Sequence, residues 1–535
     1  MSLEDLPPKR FLALADDYLR RYALSRRAAL RGALATAATV SALGSTASRG
    51  DTPRKGGTLR VGRVEEPDSL DPHKTSLAVA SATMGYIYES PARRDDDGKL
   101  VPALAEGWEL RDGNKTLVFH LRQGATFHDG SPCDANACVF TVKRMLDPAT
   151  AAPTAYLLGA FDTIEAIDDH TVAYKFKQPF VPVWVGLTSS YCGILPPGPV
   201  QKLGAQFGRN PVGSGPFKFV SWAPDSGIKL ARFDQYKAGP VPLVDALQFA
   251  QYPEDSTRVA ALQSGEINAI WSGQSVPLDR VRSLKRESDI QVQQRPSLSI
   301  RALDFNESRK PLDDIRVRRA ICHAVDPQRV IALALDGNAN PAHGPLPSAM
   351  PGYDKKVDQL AYKYDPDQAR ALLKDAGVQP GTTLHLICND SPSIRQSAEI
   401  VQAQLKDVGL TVTIQSMPIG QVVALTKKAE HDIYLYTYTY FDPDILYPAF
   451  DSKGSLNRDF VADPDMDRMI EASRVEFDDA KRQALYDTIQ QKLVEEARWA
   501  PLFEPLNFAA FDSSVQGAVL RVDGEIDARK VWLKA

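Results

Sequence analysis

The chain has 535 residues, 43% hydrophobic and 24% charged, with 34 glycines and 38 prolines. That profile excludes fibrous, disordered and integral-membrane classes, and at roughly 100 to 200 residues per domain it predicts two to four domains, each with its own core. A formal net charge of −4, from 63 basic and 67 acidic residues, provides no broad cationic field. Strong nonspecific nucleic-acid binding is excluded, and the partner is expected to be a small solute or another protein.

Residues 1–47 differ from the rest. A basic start ends in Ser25-Arg26-Arg27-Ala28-Ala29-Leu30-Arg31, followed by a weakly apolar run from Gly32 to Leu43 and then Ser45-Thr46-Ala47. The run is too short for the ~20 residues that span a bilayer, and Ser45 and Ala47 suit a signal peptidase. The order basic, apolar, small is similar to a twin-arginine export signal cleaved near Ala47. An amphipathic N-terminal helix is the plainer alternative. No cysteine precedes Cys133, which excludes a lipoprotein anchor, and the remaining chain carries 56 basic and 63 acidic residues. A mildly acidic, exported, soluble, monomeric protein is expected in the periplasm.

Beyond the signal, strands are predicted at Thr58–Val64, Thr116–Arg122, Thr171–Phe176, Phe217–Trp222, Ala246–Tyr252 and Ile300–Phe305. Helices are predicted at Asp255–Ser264, Asp313–Val325, Asp365–Ala376 with Gly377 as a stop, Ser393–Val408 with Gly409, and Asp478–Ala497. A mixed α/β architecture follows. Asp134 reads as the N-cap of a helix reaching Met145, which places Cys133 and Cys138 at the two positions of a hydrophobic staple. An apolar staple and a disulfide both remain open there. Five cysteines without a CxxC spacing argue against zinc.

Catalytic signatures are missing: no GxSxG elbow, no GxxxxGK[ST] phosphate loop, no HExxH helix and no GxGxxG turn. No cofactor and no metal are expected. His120 and His128 read as surface or hydrogen-bonding histidines, and Gly213-Ser214-Gly215-Pro216 as a turn rather than an anion cradle. The strongest local signal is His431-Asp432-Ile433-Tyr434-Leu435-Tyr436-Thr437-Tyr438-Thr439-Tyr440-Phe441-Asp442-Pro443-Asp444. On a strand its four tyrosines share one face. That row is either the aromatic wall of a ligand cleft or one face of an ordinary sheet.

Several segments together resemble the peptide/nickel/opine class of periplasmic solute-binding proteins of ABC importers, the extracellular solute-binding proteins of family 5. They are Gly57-Thr58-Leu59-Arg60-Val61, Leu70-Asp71-Pro72, Leu104-Ala105-Glu106-Gly107-Trp108, Phe119-His120-Leu121-Arg122-Gln123-Gly124 with Phe127-His128-Asp129-Gly130, Asn210-Pro211-Val212-Gly213-Ser214-Gly215-Pro216-Phe217, Leu262-Gln263-Ser264-Gly265-Glu266-Ile267, and Pro311-Leu312-Asp313-Asp314-Ile315-Arg316-Val317-Arg318-Arg319-Ala320-Ile321. The resemblance implies a two-lobed periplasmic-binding-protein fold of class II type, with an extra subdomain inserted in the first lobe. On this chain, lobe I takes residues 50–85, 206–302 and 503–535, the insert 86–205, and lobe II 303–502. Asp304 and Phe503 mark the expected hinge.

The same resemblance implies a ligand site before Asp442-Pro443, made of Tyr436, Tyr438, Thr439, Tyr440 and Asp442. Thr439 stands where peptide-binding relatives carry an aspartate for the ligand's amino terminus, so an opine, a sugar conjugate or a modified peptide is expected over a free peptide. Arg395 matches an arginine that takes the ligand carboxylate in dipeptide-binding relatives. Asn389 and Trp271 complete the candidate set. The implied role is a non-enzymatic receptor that hands its solute to membrane permease subunits. A secreted hydrolase using Asp442 and Asp444, or a periplasmic peptide-binding chaperone, are the competing classes.

Overall fold

The computed structural model describes residues 52–223, 227–271 and 275–534. The expected export signal and its cleavage site lie outside them. The strands, in chain order, begin with β1 (Thr58–Arg63), β2 (Ala92–Arg94), β3 (Leu100–Pro102), β4 (Ala105–Arg111), β5 (Thr116–Leu121), β6 (Phe161–Asp168) and β7 (Thr171–Phe176). There follow β8 (Phe217–Ala223), β9 (Gly227–Arg232), β10 (Ala246–Gln251), β11 (Ala269–Ile270), β12 (Ile290–Pro296) and β13 (Ser299–Phe305). Then come β14 (Ala339–Pro341), β15 (Thr383–Asn389), β16 (Thr411–Met417), β17 (Ile433–Thr439) and β18 (Trp499–Asp512), with the short paired strands β19 (Val515–Gln516) and β20 (Trp532–Leu533) last. Each strand expected above is present within one or two residues of its predicted ends.

Helix starts follow from side-chain chemistry. Asp134, Asp314, Asp326, Asp365, Asp463 and Asp478 each accept a hydrogen bond from a first-turn backbone N–H, satisfying a donor that the helix itself leaves open. The helix predicted from Asp313 therefore starts later, at Ile315, because Asp314 is its cap. Helix Pro366–Asp375 has proline in its first turn, and Gly377 follows at a φ of 73°, a left-handed value that suits glycine at a helix end.

Two groups of strands share one hydrogen-bonded path, in the order β16-β15-β17-β13-β18-β11-β1-β10-β9-β8. The link is β18. Its first half, Trp499 to Pro505, pairs with β13 and β14, and its second half, Leu506 to Asp512, pairs with β12 and β11. The other connection is the short step from β12 to β13, where Ser297 N–H donates to the Pro505 carbonyl at 3.2 Å. The change of partner thus falls at Ser297–Leu298, six residues before the expected Asp304, and at Pro505–Leu506, two residues after the expected Phe503.

A separate antiparallel sheet, β4-β5-β7-β6, packs on helix Ala135–Leu146 with its own core, including Phe119, Phe127, Tyr174, Trp184, Cys133 and Cys138. Cys133 and Cys138 are both free thiols, so the pair serves as an apolar staple and no disulfide forms. Burial holds the Cys133 thiol up at about 12, which leaves it unreactive.

Candidate functional site

A cavity of about 890 Å³ separates the two strand groups, within the roughly 300 to 1,000 Å³ of clefts that enclose small molecules. One wall comes from β1, helix Ala78–Ile87 and β2, and includes Arg63, Tyr86, Glu89 and Arg94. The facing wall is built by β13 and β17, with Ser299, Arg301, Thr437, Thr439 and Phe441. The tail after β18 adds Arg521, Asp523, Glu525, Asp527 and Arg529.

Most of the charge around this cavity is internally paired. Arg521 reaches Asp523 at 2.7 Å, and Arg529 holds Asp527 through two bonds of 2.6 and 2.8 Å. Burial pushes the Asp527 carboxyl up, but the Arg529 hydrogen bonds win and hold it below its ordinary value. Glu89 is buried and accepts from the Tyr236 hydroxyl; burial raises its carboxyl despite the nearby Arg529 and Arg93 charges.

Arg301 differs. It lies midway along β13, is 3% exposed, and donates from Nε to Thr437 Oγ1 at 2.8 Å. Its guanidinium stands 5.0 Å from the Phe503 ring centre, and Nη1 has no hydrogen-bond partner among the described residues. Burial alone pushes the guanidinium down to about 10, which still leaves it charged at neutral pH.

Strand parity explains which side chains reach the cavity. β13 and β17 run antiparallel with Arg301 opposite Thr437 and Ser299 opposite Thr439, so these four share one face. Deeper along that face, Leu303, Phe305, Leu435 and Ile433 enter the apolar core, and its outer end opens into the cavity. A register shift between Arg301 and Ala302 in the pairing with β18 bends the ladder beside the site.

The tyrosines occupy the opposite face. Tyr434 stacks on Tyr436 at 4.9 Å, Tyr436 meets Tyr438 edge-on at 4.9 Å, and Tyr438 stacks on Trp499 at 4.4 Å. Tyr436, Tyr438 and Tyr440 pack against the apolar cluster around Leu446, Phe450 and Trp499 and do not line the cavity. Of the expected tyrosine wall, the four tyrosines do share a face, but it packs on neighbouring elements, with Tyr434 and Tyr438 buried and Tyr436 and Tyr440 half-buried, and the threonines face the cavity.

The remaining candidates separate further. Thr439 lines the cavity, its hydroxyl 2.8 Å from that of Ser299. Asp442 does not line the cavity; it lies 3.5 Å from Arg94, which does, and caps the turn Pro443–Ile445. Burial raises its carboxyl, partly offset by Arg94. Arg395, the expected ligand clamp, has its side chain 61% exposed, 4.0 Å from Glu399 and outside the cavity, although Ser393 of the same turn lines it. Asn389 ends β15 and its side chain accepts from Ser391 N–H at 3.2 Å, also away from the cavity. Trp271 is fully buried against Phe249 and Phe511 and belongs to the core, because it follows directly on the interior strand β11.

Sequence reasoning passed over Arg301, Arg63, Glu89 and the alternating charges of 521–529. A usable signal existed for Arg301, a lone cation inside the apolar strand Ile300 to Phe305. His128 proves to be a structural hydrogen-bonding group. Its Nδ1 accepts from Gly213 N–H at 3.2 Å and its Nε2 donates to the Gly215 carbonyl at 3.0 Å. The glycines there are dictated by close packing, since a Cβ on Gly213 would lie 2.0 Å from the Ile87 carbonyl oxygen.

Comparison with known proteins agrees with this architecture. The family of Bacterial extracellular solute-binding proteins, family 5 Middle, matches residues 99–457. The chain is 31% identical over 498 residues to the probable di/tripeptide-binding protein 5 of Pseudomonas aeruginosa, covering 86% of this chain and 91% of the relative. It is 29% identical over 445 residues to the glutathione-binding protein GsiB of Pectobacterium atrosepticum, covering 81% and 85%. Its fold is similar to the ABC transporter-associated periplasmic binding protein DppA of Helicobacter pylori, solved with the peptide STSA, with a TM-score of 0.75, 26% identity, and coverage of 90% and 99%. The architecture is the two-lobed periplasmic-binding-protein fold with an extra antiparallel sheet. The family match over residues 99–457, on a chain whose relatives match most of its length, makes this protein a member of the family 5 extracellular solute-binding proteins, a non-enzymatic solute-binding family.

Proposed function

We propose that this protein is the periplasmic capture subunit of an ABC importer for a small peptide-like solute: a di- or tripeptide, a glutathione-like modified peptide, an opine or a sugar conjugate. The observation that carries the reading is the 890 Å³ cavity walled by hydroxyls and charged side chains from both strand groups. The relatives that bind di/tripeptides and glutathione support the size class. Thr439, in place of an aspartate, weighs against a strongly held free amino terminus, because an ammonium buried without a carboxylate loses on the order of 3 to 5 kcal/mol. Asp442 is already engaged by Arg94, which weighs against its taking that role.

The two lobes, with residues 86–205 as the insert, would close about a hinge at 297–298 and 505–506, where both strand connections change partner. Closure by a few residues is the usual mechanism for such lobes, and the closed form is what permease subunits would recognise. Export through the twin-arginine pathway would deliver the folded protein to the periplasm. The test is recovery of solute from protein purified from its native host, by mass spectrometry after denaturation, followed by calorimetry with trialanine, glutathione and octopine. A peptide-sized solute, or micromolar binding of one of the three, supports the reading. No recovered solute together with no binding refutes it.

A further inference from the structure

We propose that Arg301 is the carboxylate anchor of this cavity, so that the protein selects solutes ending in a free carboxylate and holds that group on the β13–β17 wall. The inference rests on the receptor reading above and names the chemistry its ligand must present. A buried guanidinium ordinarily answers an acid. In this protein Arg318 meets Glu307 at 2.8 Å and Arg474 meets Asp444 at 2.7 Å. Among the described residues no carboxylate lies within 4.0 Å of Arg301, although it is more buried than either of these. An uncompensated charge of this kind destabilises the protein that carries it, and a ligand anion removes the deficit.

The geometry also orients the group. Nε is committed to Thr437 Oγ1, which fixes the guanidinium plane and leaves the Nη edge, where Nη1 has no partner among the described residues. That edge presents two parallel N–H donors, the spacing a carboxylate accepts bidentately. On the next rung Ser299 and Thr439 supply hydroxyls 2.8 Å apart, able to donate to the same anion. One open guanidinium edge on this wall matches a single carboxylate group, and the strand location makes the site rigid.

Acetate and acetamide differ in charge but hardly in shape, and they probe the site without knowledge of the natural solute. Melting temperatures of the wild type, Arg301→Gln and Arg301→Lys should be measured in acetate, in acetamide and in chloride of equal ionic strength. Acetate should raise the wild-type Tm by about 1 to 2 °C over chloride. Acetamide should not, and Arg301→Gln should bind acetate at least tenfold more weakly, with Arg301→Lys between. Ligand-free Arg301→Gln should melt no lower than the wild type, because a buried unpaired charge has been removed. Equal acetate responses in wild type and Arg301→Gln, or a wild type that responds to acetate no more than to chloride, overturn the anchor. Neither result depends on whether a peptide-like solute is recovered, so failure of the anchor and failure of the receptor reading are distinguishable.

Discussion

The Tyr438 hydroxyl donates a 2.8 Å hydrogen bond to Asp304 Oδ2, and both side chains are sealed from solvent, at 3% and 1% exposure. This bond ties β17 to β13 on the face opposite the cavity, directly behind Thr437 and Arg301. Burial raises the Asp304 carboxyl, and the Tyr438 donor opposes that rise. The aromatic row therefore acts as a backing plate for the cavity wall.

Removing only that hydroxyl should be costly. Tyr438→Phe keeps the stack on Trp499 but leaves a buried carboxylate oxygen without its donor, and it should lower unfolding free energy by about 1 to 3 kcal/mol. Urea denaturation at neutral pH measures this. An unchanged midpoint would show that Asp304 is neutral and indifferent to the bond.

The Arg94–Asp442 pair, at 3.5 Å, joins β2 on one side of the cavity to the segment after β17 on the other. Their side chains are 18% and 15% exposed, so the pair is worth about 1 kcal/mol once screening is allowed for. Asp442→Asn should shift the lobes toward an open form, by roughly a factor of five in the equilibrium. Small-angle scattering of the ligand-free variant should give a larger radius of gyration than the wild type. An identical radius would assign the pair to turn formation alone.

His128 makes stability depend on mild acid. Burial lowers its ring to about 4 in the folded protein, against an ordinary value near 6.5 in the unfolded chain. Above pH 6.5 both states are neutral and the contribution is fully present. As pH falls from 6.5 toward 4 the unfolded state takes up a proton that the folded state refuses, so stability is lost, by at most about 3 kcal/mol. His128→Gln should be less stable than wild type at pH 7.5, with the difference shrinking by pH 4.5. Parallel pH profiles for the two proteins would exclude His128 as the source.

Export should depend on Arg26-Arg27. Replacing both by lysine keeps the charge, yet full-length precursor should accumulate in the cytoplasm, as seen by fractionation and immunoblotting. Normal periplasmic recovery of the double variant would eliminate the twin-arginine route.

Residue order by itself determined the elements and the family. Asp134, Asp314, Asp365 and Asp478 announce helices because a carboxylate before an apolar-periodic run satisfies open N–H groups locally, without reference to the rest of the molecule. The alternation of 433–440 likewise defines a strand with all its tyrosines on one side. Which side meets the ligand was decided only by tertiary structure. Period-two alternation distinguishes two faces but does not say which will be covered, and here Trp499, remote in sequence, together with Leu446 and Phe450 of the helix that follows the strand, covers the tyrosines and leaves the threonines to the cavity. Arg395 and Arg301 show the same division. In sequence Arg301 stands out only as a lone cation in an apolar strand, and it is the packing of β13 between β17 and β18 that buries it without an acid, while helix Pro392–Asp407 turns Arg395 to solvent. A charge becomes a binding group through what surrounds it, and those surroundings come from long-range contacts.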